Sequence, residues 1–333
     1  MNANFVRKVL FIERVSPLFA PISTIPEEYH QELLSYRGEY FDEDAYWTMS
    51  STHDQLGPFS LWRHYVKAHT EILLCPFTPY SLHTLHFMFA NSLNVKLYDD
   101  LNFDLEEGQC NLFNLHADKH EVLMTAGQHI NSFHINMRLR TLKELSVRYP
   151  VLRRLAEKKI SLLSNAVNEH PLFTTATSKL LINKYNRCNY QQEDHRRYFG
   201  ERCCLDLLLN FAYQEQQGDQ PMLIYGVLNA ATFRAIFNYI VNQPYEEHSI
   251  PELAKQFFIP EEMLRIGFRQ HFAITIELFI RMQKMMMIYD LVVFNDISLP
   301  EIAGLMGFGS ESRLNSAFRS YYKCDLKTLQ KPR

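Results

Sequence analysis

The chain has 333 residues, of which 47% are hydrophobic, and its 34 Lys and Arg against 37 Asp and Glu give a net charge of −3. This length suits two domains or three small ones, and the apolar content is ample for packed cores. The sequence has no apolar run near the ~18 residues that a membrane span requires, and it does not begin with a signal-peptide pattern. We therefore expect a cytoplasmic protein that does not bind membranes.

The distribution of cysteines and of charge argues against several kinds of site. The six cysteines are scattered and form no Cys-x-x-Cys pair, which argues against a disulfide framework or a structural zinc site. Residues 1–137 carry a charge of −9, whereas residues 138–217 carry +6. An acidic surface repels phosphate, so the N-terminal part is not expected to bind nucleic acid. Residues 245–333 have no net charge. A DNA-binding segment usually carries excess positive charge, so this balance counts modestly against DNA binding.

Short strand-like segments dominate the N-terminal part. Residues 1–60 show no clear periodicity, because Gly, Pro and acidic residues interrupt it. From residue 71 onward, aliphatic and aromatic segments recur at near-regular spacing and predict β-strands. These segments are Glu71–Pro76, Leu82–Ala90, Asn94–Tyr98, Gly108–Leu115, Glu121–Met124 and Ile130–Met137. Residues 1–137 are thus predicted to form a β-rich sandwich or small barrel, with a hairpin turn at Asn91-Ser92.

The periodicity changes to that of helices at about residue 139. Helices are predicted over residues 139–163, 174–185 and 193–216. Residues 138–217 are interpreted as a helical dimerisation or connector region. Its last helix has an apolar stripe that fits either dimerisation or packing within the chain, formed by Leu205, Leu208, Leu209 and Tyr213.

The last third of the chain begins after a predicted linker, residues 218–228, which contains Gly and Pro. A lead-in helix over residues 228–242 opens the final segment, 229–333. This segment contains an internal repeat: Ser249–Ala254 recurs 49 positions later as Ser298–Ala303. A second echo, 50 positions apart, relates residues 267–272 to residues 317–322.

Each copy of the repeat predicts a short helix, a turn and a longer helix. Ser249 with Glu252, and Ser298 with Glu301, are spaced as capping boxes at the start of the short helices. Two helix-turn-helix units in tandem can bind two successive segments of the DNA major groove. The residues predicted to face outward from the longer helices are Glu262, Arg265, Ile266 and Arg269 in the first unit and Ser310, Glu311, Ser312, Arg313, Asn315, Ser316 and Arg319 in the second.

The same residues resemble a known family. Residues 229–331 are similar to the DNA-binding domain of the AraC/XylS family of bacterial transcription regulators, and residues 267–272 resemble its siderophore-sensing branch. The resemblance rests on Leu253-Ala254, Leu264, Phe268, Ile302-Ala303, Gly307-Phe308 and Ala317-Phe318-Arg319. The chain departs from the family at Phe258, where Gly is usual, and at Met285-Met286-Met287, where basic and alanine residues are usual.

The resemblance implies a sensory N-terminal domain, often with a cupin-like β-fold, then a helical dimerisation region and the DNA-binding module. The outward residues of the two longer helices are the positions that touch DNA in the family. We therefore expect a non-enzymatic, ligand-responsive regulator that binds double-stranded DNA as a homodimer, without a cofactor. The effector is unknown, and RNA polymerase is a further candidate partner. On chemical grounds Arg313 is expected to hydrogen-bond to a base, whereas Arg269 and Arg319 are expected to contact backbone phosphates.

Two other functions fit parts of the sequence. The N-terminal part is rich in histidine, so a cupin-like metal-dependent enzyme is one alternative, although the spacing of the histidines matches no characteristic metal site. A degenerate regulator that binds protein instead of DNA is the other, because charge in the last third is balanced. An aromatic ligand pocket, if one exists, is expected around Tyr80, His83, His86, Phe87 and Phe89, and core packing explains the same residues.

Overall fold

The computed structural model describes residues 5–14, 37–96, 102–158, 164–218 and 230–330. The chain divides into two compact units, Met1–Thr174 and Thr175–Arg333. The described strands all lie in the first unit, and the described elements of the second are helices, so the predicted α+β fold is confirmed. Within the described ranges, no helix combines the length and apolar character needed to cross a membrane.

The first unit is built from two larger sheets and a small ribbon. Its described strands are β1 Val6–Phe11, β2 Arg37–Glu43, β3 Trp47–Leu56, β4 Phe59–Ala68, β5 Ile72–Thr78, β6 Leu82–Ala90, β7 Leu93–Lys96, β8 Asn102–Leu105, β9 Gln109–Leu115, β10 Asp118–Lys119, β11 Val122–Met124, β12 His129–Met137, β13 Asn165–Ala166 and β14 Leu172–Phe173. The larger sheet is antiparallel in the order β9-β6-β12-β4-β3-β2, and β13 and β14 both pair with β9. In the second sheet β5 pairs in parallel with β1 and antiparallel with β10 and β11.

The core of this unit lies between the two larger sheets. Leu10 and Leu74 from the second sheet are buried in one cluster with Val66, Met88 and Ile130 from the first. Because side chains alternate across a strand, each sheet turns one apolar face to this cluster. The expected β-rich sandwich or barrel is therefore present, with its predicted strand segments in β5, β6, β9, β11 and β12.

One local expectation in this unit is corrected, and a region that the sequence left without a prediction contains strands. The hairpin turn expected at Asn91-Ser92 is wrong, because β6 pairs with β9 and β12 while β7 pairs with β8. Asn91 has a φ of 60° and its side-chain amide donates to the carbonyl of His129 at 2.5 Å, so it caps the end of β6 instead. Residues 37–68 also form three strands despite their irregular sequence. Gly38 lies in the edge strand β2, where a glycine is tolerated, and Gly57, with a φ of 55°, makes the β3–β4 turn.

Helices follow the last long strand and make up the second unit. The described helices are α1 Leu139–Arg148 and α2 Arg153–Glu157 in the first unit, and α3 Ala176–Arg187, α4 Glu193–Gln217, α5 Ala230–Asn242, α6 Ile250–Gln256, α7 Glu261–Phe272, α8 Ile276–Phe294, α9 Leu299–Leu305, α10 Glu311–Tyr322 and α11 Leu326–Leu329 in the second. The predicted connector, 138–217, thus contributes α1 and α2 to one unit and α3 and α4 to the other. The predicted linker, 218–228, lies outside the described residues apart from Gly218.

The apolar stripe of α4 is used inside the second unit. Leu205 and Leu208 are buried there, and Leu209 and Tyr213 are half-buried. Leu205 and Leu208 therefore pack within the chain, whereas Leu209 and Tyr213 stay partly exposed. Dimerisation stays a prediction.

Candidate nucleic-acid interface

Both short helices of the repeat begin at a serine cap, but the two caps differ. The Ser298 hydroxyl oxygen accepts from the Glu301 backbone N–H at 3.4 Å, and the Glu301 carboxylate accepts from the Ser298 N–H at 3.0 Å, which completes a capping box. The Glu301 carboxylate also accepts from the Ser298 hydroxyl at 2.6 Å, and this bond, together with that from the Ser298 N–H, lowers the pKa of Glu301. In the first unit Ser249 also accepts from the Glu252 N–H, at 3.3 Å, but the Glu252 carboxylate takes its bond from the Ser249 hydroxyl. The capping box predicted at Ser249 is thus only half formed.

The internal repeat is also present in the backbone conformation, because each unit has two residues with a left-handed (positive) φ at equivalent positions. Phe258 and Gly307, 49 positions apart, occupy the two turns with φ of 54° and 68°. Ala273 and Lys323, 50 positions apart, end the two longer helices with φ of 50° and 64°. Only Gly adopts this region without a steric penalty, so three of the four positions are held there by the surrounding fold. The two units therefore share one backbone design.

The inward faces of the repeat are buried as predicted. In the first unit these residues are Leu253, Ala254, Leu264 and Phe268, and in the second they are Ile302, Ala303, Leu314 and Phe318. Gly267 allows α5 to approach α7 closely, because a Cβ at this position would lie 2.0 Å from the ring of the fully buried Phe233. The short and longer helices of each unit thus pack through small and apolar side chains.

Most residues predicted to contact DNA lie on the outward faces. The exposed ones are Glu262, Arg265, Ile266, Arg269, Ser310, Ser312, Arg313, Ser316 and Arg319, and the half-buried ones are Glu311 and Asn315. Their exposure is compatible with contact to DNA, and the contacts themselves stay predictions.

The arginines of the first unit are engaged with neighbouring side chains. Arg265 forms an ion pair with Glu277, which lies in the first turn of α8. The guanidinium of Arg269 lies 5.6 Å from the ring centroid of Tyr213 on α4. Glu261 and Glu262 lie exposed in the first turn of α7. Their negative charges interact favourably with the helix dipole there, but they repel phosphate. The outward face of α7 therefore combines one arginine without an ion pair among the described residues, Arg269, with two exposed glutamates.

The second unit presents its charges differently. Arg313 is exposed and forms no ion pair with the described part of the chain. Arg319 lies 3.8 Å from Asp325 with 70% of its side chain exposed. The Asn315 side chain donates to Asp325 at 3.1 Å and accepts from the Leu326 N–H at 2.9 Å, so it anchors the start of α11. Arg313 is thus the most available cation on this face, whereas the amide of Asn315 is occupied within the protein.

The connecting helix α8 sets the separation between the units. It begins at Thr275, whose hydroxyl accepts from the Leu278 N–H at 3.3 Å, and its 19 residues span about 28 Å. Successive major grooves on one face of B-DNA are ~34 Å apart. Met285 and Met286 of α8 are buried. These two methionines, which stand where basic and alanine residues are usual in the family, therefore pack in the core of the unit.

The candidate ligand residues of the first unit do not converge on one pocket. His86 lines a cavity of about 60 Å³ between the sheets. His83, Phe87 and Phe89 lie at alternate positions on β6, on its opposite face. Tyr80 lies 4.1 Å from the guanidinium of Arg138, away from this cavity. Only His86 of the five expected residues contributes to the cavity.

Neighbouring strands bring further histidines to His86. The ring of His134 lies 5.5 Å from that of His86 and 5.0 Å from that of His64, measured between centroids. Burial lowers the pKa of His64 to about 3 and that of His86 to about 4, so both rings are neutral. The Nε2 atoms of His64 and His86 are buried and make no hydrogen bond with the described protein atoms. His64 also lines the cavity, with Thr84 and Ser132 as further polar groups.

These histidines stack instead of converging on a point. Among the described residues, no group of three or more His, Cys, Asp or Glu side chains is arranged to hold a metal ion. The cluster was not visible in the sequence, because it depends on strand register: β12 pairs His134 with His86 on one side and Ser132 with His64 on the other.

Comparison with known proteins finds similarity in structure alone. No family model and no curated protein matches the chain. Matched solved structures include ToxT from Vibrio cholerae, with 10% identity, a TM-score of 0.31, and coverage of 82% of this chain and 100% of that one. The C-terminal domain of AraT, a response regulator from Geobacillus stearothermophilus, matches with 16% identity and a TM-score of 0.29 over 31% of this chain and 85% of that one. Ectoine synthase from P. lautus matches with 16% identity and a TM-score of 0.22 over 29% of this chain and 67% of that one.

Because the identities and TM-scores are low, the matches describe a likeness in fold and do not decide the function.

Proposed function

We propose that this protein is a sequence-specific DNA-binding transcription regulator. The supporting observation is the pair of helix-turn-helix units, which repeat the same left-handed turn at Phe258 and Gly307 and expose the outward faces of α7 and α10. The α8 helix joins them with a length of about 28 Å, close to the spacing of successive major grooves. Each unit then places its longer helix in one groove.

Within this proposal the arginines of the second unit have different roles. Arg313 lies near the N-terminal end of α10, the end that contacts base edges in helix-turn-helix proteins, and it forms no ion pair with the described residues. Arginine pairs best with the O6 and N7 atoms of guanine. Arg319 lies near the other end of α10, where contact to phosphate positions the helix without reading sequence.

Selection of binding sites from random DNA by the full chain tests this proposal. We expect the wild type to enrich a bipartite site, Arg313→Ala to lose preference at one base pair, and Arg319→Ala to weaken all sites alike and reduce the salt dependence by about one phosphate contact. If the two variants enrich the same sites with the same affinities, the roles of the arginines are wrong. If the wild type enriches no sequence, DNA recognition itself is wrong.

We further propose that a small effector binds in the cavity between the two sheets. The cavity is lined mainly by apolar side chains, and the neutral His64 and His86 offer ring nitrogens that need hydrogen-bond partners. Leaving a buried polar atom unpaired costs roughly 1–3 kcal/mol, so a ligand with a compact apolar body and a hydrogen-bonding group would be stabilised there.

Thermal unfolding of the full chain with a panel of small alcohols, phenols and carboxylic acids tests the effector site. We expect one class to raise the melting temperature of the wild type and of His129→Gln, whose histidine is exposed, but not that of His86→Gln. An equal response of both variants would place the ligand elsewhere. No response of the wild type to any compound of the panel would count against an effector of this chemistry.

A further inference from the structure

Helix α4 reaches the C-terminal end of the first longer helix. The Asn210 side-chain amide donates to the carbonyls of Phe272 at 2.7 Å and of Ala273 at 2.9 Å. Its orientation is fixed because its oxygen accepts from the Thr175 hydroxyl at 2.6 Å. The Thr177 hydroxyl on α3 donates to the same Phe272 carbonyl at 2.9 Å. The last carbonyls of α7, which have no partner within their own helix, are therefore bound by α3 and α4.

The same helix reaches the C-terminal end of the second longer helix. The Arg202 guanidinium lies 3.7 Å from the ring centroid of Tyr321 and donates to the Tyr321 carbonyl at 3.4 Å. Arg202 is also paired with Asp206, one turn along α4. The Tyr321 hydroxyl donates to Asp206 at 2.5 Å, and burial raises the pKa of this hydroxyl. This buried, charge-assisted network binds the end of α10 to α4.

The connecting helix α8 is held by the same hairpin. The Tyr190 hydroxyl, in the loop between α3 and α4, donates to Asp290 on α8 at 2.7 Å. The Tyr289 hydroxyl donates to the His195 carbonyl in the first turn of α4. The α3–α4 hairpin thus contacts α7, α8 and α10.

From these contacts we propose that α3 and α4 position the two DNA-contacting helices relative to each other. Asn210 and Arg202 are eight residues apart on one helix, which separates their anchor points by about 12 Å along its axis. Since both helix ends are attached to one rigid element, α7 and α10 cannot rotate independently about α8. The functional module therefore extends from Thr175 to the end of the chain, and Asn210, Arg202 and Asp206 are positioning residues. This inference rests on the proposed DNA-binding function.

The consequence is a strict requirement on the spacing of the two DNA subsites. Each inserted base pair moves one subsite by ~3.4 Å and rotates it by roughly one tenth of a turn. Two units that are held rigidly cannot both contact their subsites after this shift. Two loosened units can reorient to contact both, but the effective concentration of the second unit at its subsite is then lower.

Binding of the full chain to its selected site, with zero, one or two base pairs inserted between the subsites, tests the proposal. The variant is Asn210→Ala with Tyr321→Phe, which removes one hydrogen-bonded anchor between α4 and α7 and one between α4 and α10. The control is Tyr239→Phe, which removes an exposed hydroxyl-to-carboxylate bond on α5 outside the hairpin. For the wild type and the control we expect the insertions to weaken binding tenfold or more, on the order of the loss of one engaged subsite. For the variant we expect weaker binding at the native spacing and a smaller penalty for each insertion.

A uniform loss of affinity with an unchanged spacing penalty would mean that the anchors only stabilise the fold, and the proposal would be overturned. If the double variant does not fold, each single substitution carries the same test.

A measurement without DNA separates this inference from the proposed function. Spin labels at the exposed positions 266 and 316 report the distance between α7 and α10, in a chain whose half-buried Cys188 is replaced by serine. We expect a narrow distance distribution in the wild type and in Tyr239→Phe, and a broad one in the double variant. Equal widths would overturn the positioning role even if the wild type binds DNA, and a broadened distribution would support it even if the wild type does not.

Discussion

The two helix-turn-helix units have one backbone and two different surfaces. Both begin at a serine cap, turn through a left-handed residue and end their longer helix in another left-handed residue. Their outward faces differ, because α7 starts with two glutamates and its Arg265 is paired with Glu277, whereas α10 carries serines and an Arg313 that forms no ion pair within the described ranges. The repeat is therefore conserved within the chain where residues determine the fold, and it diverges where residues face solvent.

Under the proposed DNA-binding function, this divergence predicts unequal contributions of the two units to binding. Affinity for DNA comes largely from phosphate contacts by cations. Each longer helix has one arginine outside the ion pairs of the described residues, Arg269 on α7 and Arg313 on α10, but α7 also exposes the two glutamates of its first turn. The first unit also exposes an aromatic side chain, Phe258, whose equivalent in the second unit is Gly307. The alternative of a chain that binds protein thus applies more to the first unit than to the second.

The largest expected difference between the units concerns two helical glycines. Gly267→Ala on α7 would place a methyl group 2.0 Å from the ring of Phe233, so we expect a loss of about 2–3 kcal/mol in the free energy of unfolding. Gly304→Ala on α9 is the matched control, because its Cβ would meet no atom within 4 Å, and we expect a gain of about 0.5–1 kcal/mol. Urea unfolding of the two variants measures both values. Similar effects of the two substitutions would contradict the close α5–α7 approach.

The next difference concerns the arginines that face outward. Arg313→Ala should weaken binding to the selected site by about 1–3 kcal/mol, or roughly fivefold to 150-fold, if Arg313 reads a base. Arg265→Ala should weaken it by about threefold or less, because its charge is already balanced by Glu277. Titration of labelled DNA at fixed salt measures both losses, and thermal unfolding checks that both exposed substitutions leave the fold intact. A loss for Arg265→Ala equal to that for Arg313→Ala would mean that the units read DNA equally.

The parts of the structure that depend on local sequence were predictable. The helix caps at Ser249 and Ser298 and the buried residues Leu264 and Phe268 follow from spacing alone, because a helix repeats every 3.6 residues. The strand β6 has the same bounds as its predicted segment, Leu82–Ala90.

The parts that depend on contacts between distant residues were not predictable. The histidine cluster requires the register that places His134 opposite His86, which no spacing within one strand reveals. The attachment of α4 to the ends of α7 and α10 joins Asn210 to Phe272 and Asp206 to Tyr321, across 62 and 115 residues. An apolar stripe on α4 could not distinguish this internal packing from dimerisation, because both bury the same face.

A smaller effect is expected at the two turn residues. Phe258 has a φ of 54° and is 94% exposed, so its substitution by glycine relieves steric strain without loss of packing. We expect Phe258→Gly to raise the free energy of unfolding by about 0.5–1 kcal/mol, after the added freedom of glycine in the unfolded chain is subtracted. Gly307→Ala should lower it by about 1 kcal/mol at the equivalent position. If Phe258→Gly instead weakens DNA binding while it stabilises the fold, the exposed ring belongs to the binding surface.

The smallest expected effect is the release of Arg265 from its ion pair. Glu277→Gln leaves Arg265 without a balancing carboxylate and removes a negative charge from beside the outward face of α7. Exposed ion pairs contribute about 0.2–1 kcal/mol, so we expect DNA binding to tighten by roughly twofold to fivefold, with a steeper dependence on salt. Glu144→Gln is the matched control, because it breaks an exposed Arg–Glu pair on α1 and changes the net charge equally. Equal tightening by both variants would reflect net charge alone, whereas tightening by Glu277→Gln only would place α7 at the DNA and make its ion pair the reason for its weaker contribution.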